Sequence, residues 1–230
     1  MSVILVGSPK GGVGKTTSSI QLATRLAADP ANRVWLVDGD RLRHSQKAMT
    51  IRSNTGIMPA IHCDHYADGP ALRAQVLLRQ AEYTHVVIDA GGRDSSALRA
   101  ALMLCDVMLL PMQPRAFDAW VLDDTLPLLE EARGMRGYFP CLAYLNMADA
   151  RALSEDNADA VAFIQEFPEL EYLPASLVRR RAIDRSSSAG LSVFDWPDVD
   201  EKAHFEVKRF VDGVLRALEK AAESSAQQAG

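Results

Sequence analysis

The chain has 230 residues, 48% of them hydrophobic and 24% charged, a globular balance that excludes disordered, collagenous and coiled-coil arrays and allows a sizeable core. Its 25 basic and 30 acidic residues leave a formal charge of −5, which excludes a surface coated with basic residues but not a local basic patch. The three cysteines have no C-x-x-C spacing and point to a reducing cytoplasmic compartment, and neither a signal-peptide core nor an apolar run of about 18 residues occurs.

Short, β-branched apolar runs at 3–6, 34–37, 85–88, 107–110 and 141–145 predict buried strands. Helical patterns lie between them at 15–28, 69–80, 95–104, 119–133 and 155–167, the first stopped by Asp29-Pro30. Strands without polar alternation are covered on both faces, so the rhythm predicts an α/β fold, a doubly wound and mostly parallel sheet with helices on both faces. The stretch 50–68 is the least defined, with 57–62 either a short strand or an extended loop. A last helix is expected over 201–222, because Val207, Val211, Val214, Leu218 and Ala221 share one face. The chain then forms one domain over 1–222 with a frayed tail at 223–230.

The first strand runs into Gly7-Ser8-Pro9-Lys10-Gly11-Gly12-Val13-Gly14-Lys15-Thr16, and a helix opens directly afterwards. Glycines at 11, 12 and 14 let backbone N–H groups converge on an anion, and the helix N-terminus adds partial positive charge. Lys15 then reaches the β and γ phosphates of a nucleotide, and Thr16 offers a hydroxyl to a phosphate-bound Mg²⁺. Two carboxylates, Asp38 and Asp40, stand just past the second strand. One can hold the metal or its water while the other orients an attacking water. Val86-Val87-Ile88-Asp89 delivers a further carboxylate in the manner of a Walker B strand.

The segment Lys10-Gly11-Gly12-Val13-Gly14-Lys15-Thr16-Thr17 resembles the deviant Walker A box of the ParA/MinD family of P-loop ATPases, and the short length is similar to that of small plasmid-partition members of the ParF type. The resemblance implies ATP and Mg²⁺ as cofactors, a homodimer that closes on ATP, and Lys10 reaching across the interface to the partner's phosphates. It implies catalytic roles for Lys10, Lys15 and Asp40, nucleotide contacts from Gly11, Gly12, Val13, Gly14, Lys15, Thr16 and Thr17, and metal contacts from Thr16, Asp38 and Asp89. Asn146, at the end of its strand, is either an adenine contact or a turn former. The segment at 177–190 resembles the one that closes over adenine, with Val178 where proline is usual. Arg41-Leu42 stands where the family has Pro-Gln, and Ala90-Gly91-Gly92 replaces x-Pro-Pro after Asp89, which suggests a more mobile switch.

Arg179, Arg180, Arg181 and Arg185 face only Asp184 in local sequence and form a candidate phosphate-binding patch; the resemblance makes them contacts to non-specific DNA. Arg41, Arg43, Lys47 and Arg52 read instead as a solvated helix face. His62-Cys63-Asp64-His65 contains metal-ligand residue types, but one compact cluster does not make a closed site. The expected function is a partition or cargo-positioning ATPase, cytoplasmic and nucleoid-associated when ATP-bound, released by a ParB-like or other adaptor that stimulates a slow, Mg²⁺-dependent hydrolysis. The alternative is a MinD-like membrane-associated regulator, and a metabolic P-loop enzyme ranks third. The balanced polar face of the last helix argues against stable membrane association.

Overall fold

The apolar runs become strands of one sheet in the computed structural model of the chain, which describes residues 1–92, 95–114, 119–151 and 154–228. The strands are β1 (Ser2–Ser8), β2 (Val34–Asp38), β3 (His62–His65), β4 (His85–Gly91), β5 (Val107–Met112), β6 (Cys141–Ala148), β7 (Glu171–Tyr172) and β8 (Leu177–Val178). Their order across the sheet is β3-β2-β4-β1-β5-β6-β7, and β8 pairs with β6 at Asn146 and Ala148, beyond the stretch that β7 covers. Among the described residues every pairing is parallel. From β1 the chain winds outward to β2 and β3, returns through β4, and then winds to the other side. Ligands of open α/β sheets bind at the carboxyl ends of strands where the connections part in this way.

Eight helices cover the sheet among the described residues: α1 (Lys15–Ala27), α2 (His44–Asn54), α3 (Gly69–Arg79), α4 (Ser96–Leu102), α5 (Ala119–Arg136), α6 (Glu155–Gln165), α7 (Arg181–Ser188) and α8 (Glu201–Gln228). Successive strand residues point to opposite faces, and the core divides accordingly. Val3, Leu5, Val86 and Ile88 pack with α3 to α6, whereas Ile4, Val6, Leu36 and Val87 pack with α1, α2, α7 and α8. Side-chain caps start four of these helices: Asp68 accepts from Ala71 N–H, Ser95 from Leu98 N–H, Ser154 from Asn157 N–H and Asp200 from Ala203 N–H.

Several boundaries differ from the sequence reading. Of the two readings of 57–62 the loop holds over 57–61, and the third strand is His62–His65, because the backbone of 62–65 is what pairs with β2. Neither α2 nor α7 carries an apolar stripe; α2 buries Ala48 and Met49 beside the polar Ser45 and Arg52, so its periodicity is invisible. The last helix continues to Gln228, past the expected end at 222, while residues 229 and 230 of the expected tail lie outside the described residues. Ala203, Val207, Phe210, Val211 and Val214 bury its apolar face, with the Phe210 ring against Tyr144.

Candidate functional site

The loop between β1 and α1 lies at the carboxyl edge of the sheet. Gly12 and Gly14 have φ of +75° and +87°, the left-handed region that glycine enters without steric cost. At Gly14 a side chain is excluded a second way, since a Cβ there would meet Asn146 Nδ2 at 2.2 Å. Two side-chain amides hold the loop's carbonyls: Gln113 donates to Gly12 O at 2.9 Å and Asn146 to Val13 O at 2.7 Å. Lys15 opens α1 and donates from Nζ to the Lys10 carbonyl at 2.7 Å. Its ammonium thus lies back over the loop. Burial holds its pKa below the ordinary lysine value, against the opposing pull of Asp89 and Asp40.

Parallel register brings the carboxylates together, because Asp38 on β2 stands beside Asp89 on β4. Thr16 Oγ1 donates to Asp89 Oδ2 at 2.7 Å. Burial pushes the Asp89 carboxyl up to about 6, against hydrogen bonds from Ser45 and Thr16 that favour its charge. Asp38 is raised for the same reason, opposed by the N–H groups of Gln46 and Asp40 that donate to it. Asp40 is half-buried, and its carboxylate accepts from Leu42 N–H at 2.9 Å. Two carboxylates and a hydroxyl on three adjoining elements are hard oxygen donors of the kind Mg²⁺ takes. They fit that ion.

The first member of the Gly91-Gly92 pair is fixed by packing. It belongs to β4, opposite Ser8, and a Cβ there would meet Lys15 Cε at 2.2 Å and Ser8 O at 2.5 Å. Its role is close packing against the loop lysine; Gly92 follows at φ +109°, in the left-handed region that favours glycine.

Beside the loop lies a cavity of 370 Å³ lined by Thr17, Gln21, Asn146, Val178, Asp184 and Ser187, among others. That size falls within the range of about 300–1,000 Å³ typical of small-molecule sites. Gln21 was not visible as a site residue in the sequence. Its Oε1 accepts from Val193 N–H at 3.0 Å, which leaves Nε2 buried with no partner, and Ser187 Oγ is likewise buried and unpartnered. Buried polar atoms without partners are rare in native folds. On a cavity wall they fit a polar ligand. Asn146 lines this cavity too, and its Nδ2 donates to the Val13 carbonyl, which makes it a strut of the loop.

The basic groups separate. Arg179, Arg181 and Arg185 are exposed, whereas Arg180 is half-buried and forms a two-pronged ion pair with Glu206 of α8, its Nε donating at 2.8 Å. Arg52 does not belong to a solvated face. It is 2% exposed and donates through Nε and Nη2 to Asp195 at 2.9 and 3.0 Å, a partner 143 residues away that local sequence could not disclose. Arg41, Arg43 and Lys47 are exposed. Asp64 is taken up by Trp35 Nε1, Arg79 and His62, and no group of three or more His, Cys, Asp or Glu side chains placed to hold a metal occurs among the described residues.

The family described as "AAA domain" matches residues 1–64. Maintenance of carboxysome distribution protein A from Gloeobacter kilaueensis is 31% identical over 199 residues, 84% of each chain. The protein of the same name from Halothiobacillus neapolitanus is 27% identical over 217 residues, covering 92% of this chain and 95% of that one. Among solved structures, an ATP complex of McdA from Cyanothece superposes with a TM-score of 0.74 at 16% identity, covering 95% of this chain and 96% of that chain. At that identity the superposition shows the fold alone.

Proposed function

The chain belongs to the ParA/MinD family of P-loop ATPases, and from that premise we propose that it is a cargo-positioning ATPase which closes into a homodimer on ATP and Mg²⁺, holds non-specific DNA, and is released when an adaptor of the ParB kind stimulates hydrolysis. The observation that carries this reading is the meeting, at one sheet edge, of the Lys10 to Thr17 loop with Asp38, Asp40 and Asp89. Lys15 leaves the Lys10 carbonyl to bind the β and γ phosphates, while the N–H groups of Gly11, Gly12, Val13 and Gly14 surround them. Thr16, Asp38 and Asp89 would hold the cation, and Thr17 lies next to Thr16 at the cavity wall. A bound cation would supply charge neutralisation at the phosphates. Asp40 orients the attacking water, and Lys10 serves the partner's phosphates.

The nucleoside end enters the cavity walled by Asn146 and Val178. Residues 1–222 act as one ATPase domain, cytoplasmic and nucleoid-bound in the ATP state. DNA is held by Arg179, Arg181 and Arg185, with Arg180 bracing α7 against α8. The packing of α8 favours this over a membrane-bound regulator, because its apolar face is spent on the core and its polar face mixes both signs. No described helix is long and apolar enough to cross a membrane. Retention of random duplex DNA by the chain with ATP, but not with ADP or without nucleotide, tests the reading. Equal retention in all three states would refute it.

A further inference from the structure

The first turn of α2 is docked on the carboxylates assigned to the cation. Ser45 Oγ donates to Asp89 Oδ2 at 2.7 Å, the oxygen that also accepts from Thr16 at 2.7 Å. Gln46 N–H donates to Asp38 Oδ2 at 2.9 Å. A carboxylate oxygen offers about two lone-pair sites, so Oδ2 of Asp89 is filled by two hydroxyls. Thr16 belongs to the nucleotide loop and is itself an expected ligand. Ser45 stands on a separate element, fully buried, and is the donor free to leave. It does not cap its own helix, since the cap position is Arg43, which makes no side-chain cap bond. At the other end Arg52 pins α2 to Asp195, which confines any release to the first turn.

Resting on the nucleotide reading above, we propose that Ser45 is a positioning residue that takes the cation's place on Asp89 in the nucleotide-free protein and is displaced when the cation loads. The segment from Asp38 to the first turn of α2 then registers whether the cation is present. An O–H donor offsets part of the cost of burying the Asp89 charge. A divalent ion does so more strongly, and the hydroxyl becomes redundant.

The test is a Mg²⁺ titration of a fluorescent ADP analogue bound to the full chain, with the wild type compared with Ser45→Ala. Removing a competitor should lower the Mg²⁺ midpoint about tenfold, the scale of one hydrogen bond to a charged group. An unchanged midpoint would make Ser45 a packing residue, and a raised one would make it a helper of the cation; either overturns the proposal. Nucleotide binding by the wild type that ignores Mg²⁺ would overturn the assignment of Thr16, Asp38 and Asp89, and the inference with it. Hydrogen exchange of the wild type gives a second readout that does not depend on the variant folding. The amides at 45–49 should lose protection when Mg²⁺ and ADP are added together, and unchanged protection there overturns the displacement.

Discussion

Replacing Gly91 by Ala places one methyl group where β4 meets the loop lysine. The new Cβ would lie 2.2 Å from Lys15 Cε, 2.8 Å from its Nζ and 2.5 Å from the Ser8 carbonyl oxygen. The end of a lysine can swing away, but Ser8 O belongs to a strand paired in register with Gly91, so the backbone itself must shift. Overpacking of this kind costs about 1–3 kcal/mol. At about 2–4 °C per kcal/mol for a chain of this size, a mid-range cost lowers the melting temperature by about 4–8 °C. On the proposed role of Lys15, the methyl group also displaces it from the phosphates, which should weaken ATP by about tenfold or more, the equivalent of ~1.4 kcal/mol. Thermal melts without nucleotide and calorimetric titration with ATP separate the two effects. Gly134→Ala in α5 is the control, since nothing lies within 4 Å of its Cβ and alanine gains up to about 1 kcal/mol in a helix interior. A Gly91→Ala protein that melts and binds like the wild type would refute the packing argument.

Arg52→Met should cost about 3–5 kcal/mol at neutral pH, because it leaves Asp195 buried without its cation. Burial alone would raise the Asp195 carboxyl, but the bonds from Arg52 and Ser192 outweigh it and hold the pKa below the usual range. The pair's stability is therefore present above the unfolded carboxylate value of about 3.9 and lost as pH falls through the lower folded value. Urea unfolding should show a constant gap between wild type and variant near neutrality that closes in acid, and a gap that persists in acid contradicts this. Gln21→Leu should weaken ATP by about fivefold or more through the lost Nε2 donor while leaving inorganic triphosphate unaffected in competition assays; equal losses for both would place Gln21 outside the nucleoside cavity. For DNA, if the three exposed arginines of each protomer each neutralise one phosphate, the proposed dimer makes six contacts, and log K against log[salt] should have a slope of roughly −5. Alanine at Arg179, Arg181 or Arg185 should each flatten it by about two, and Arg180→Ala should leave it unchanged; a slope unmoved by all three exposed positions would reassign the surface to Arg41, Arg43 and Lys47.

The parallel sheet was legible because strands covered on both faces are written as continuous apolar runs, as at 3–6 and 85–88. The nucleotide loop was legible because its chemistry is local: three glycines, a lysine and a threonine act within six residues. What escaped depends on distant partners. The Glu206 that engages Arg180 and the Asp195 that engages Arg52 lie 26 and 143 residues away, so charge counted in a local window mistook both arginines for free surface. Gln21 and Ser45 are polar residues of helices that read as ordinary until the fold turns them toward a cavity and a carboxylate. The Gly91-Gly92 pair looked like flexibility, yet one member is a spacer, a distinction that only the position of Lys15 reveals.

Static light scattering of Asp40→Ala, with Lys10→Ala beside it, tests the ATP-closed dimer most directly. With ATP and Mg²⁺, Asp40→Ala should hold ATP, turn it over about 100-fold or more slowly than wild type for want of an oriented water, and scatter at twice the 25.1 kDa of one chain. Lys10→Ala should bind ATP and remain at the mass of one chain. An ATP-loaded Asp40→Ala protein that stays monomeric, or a Lys10→Ala protein that dimerises like the wild type, would contradict the account.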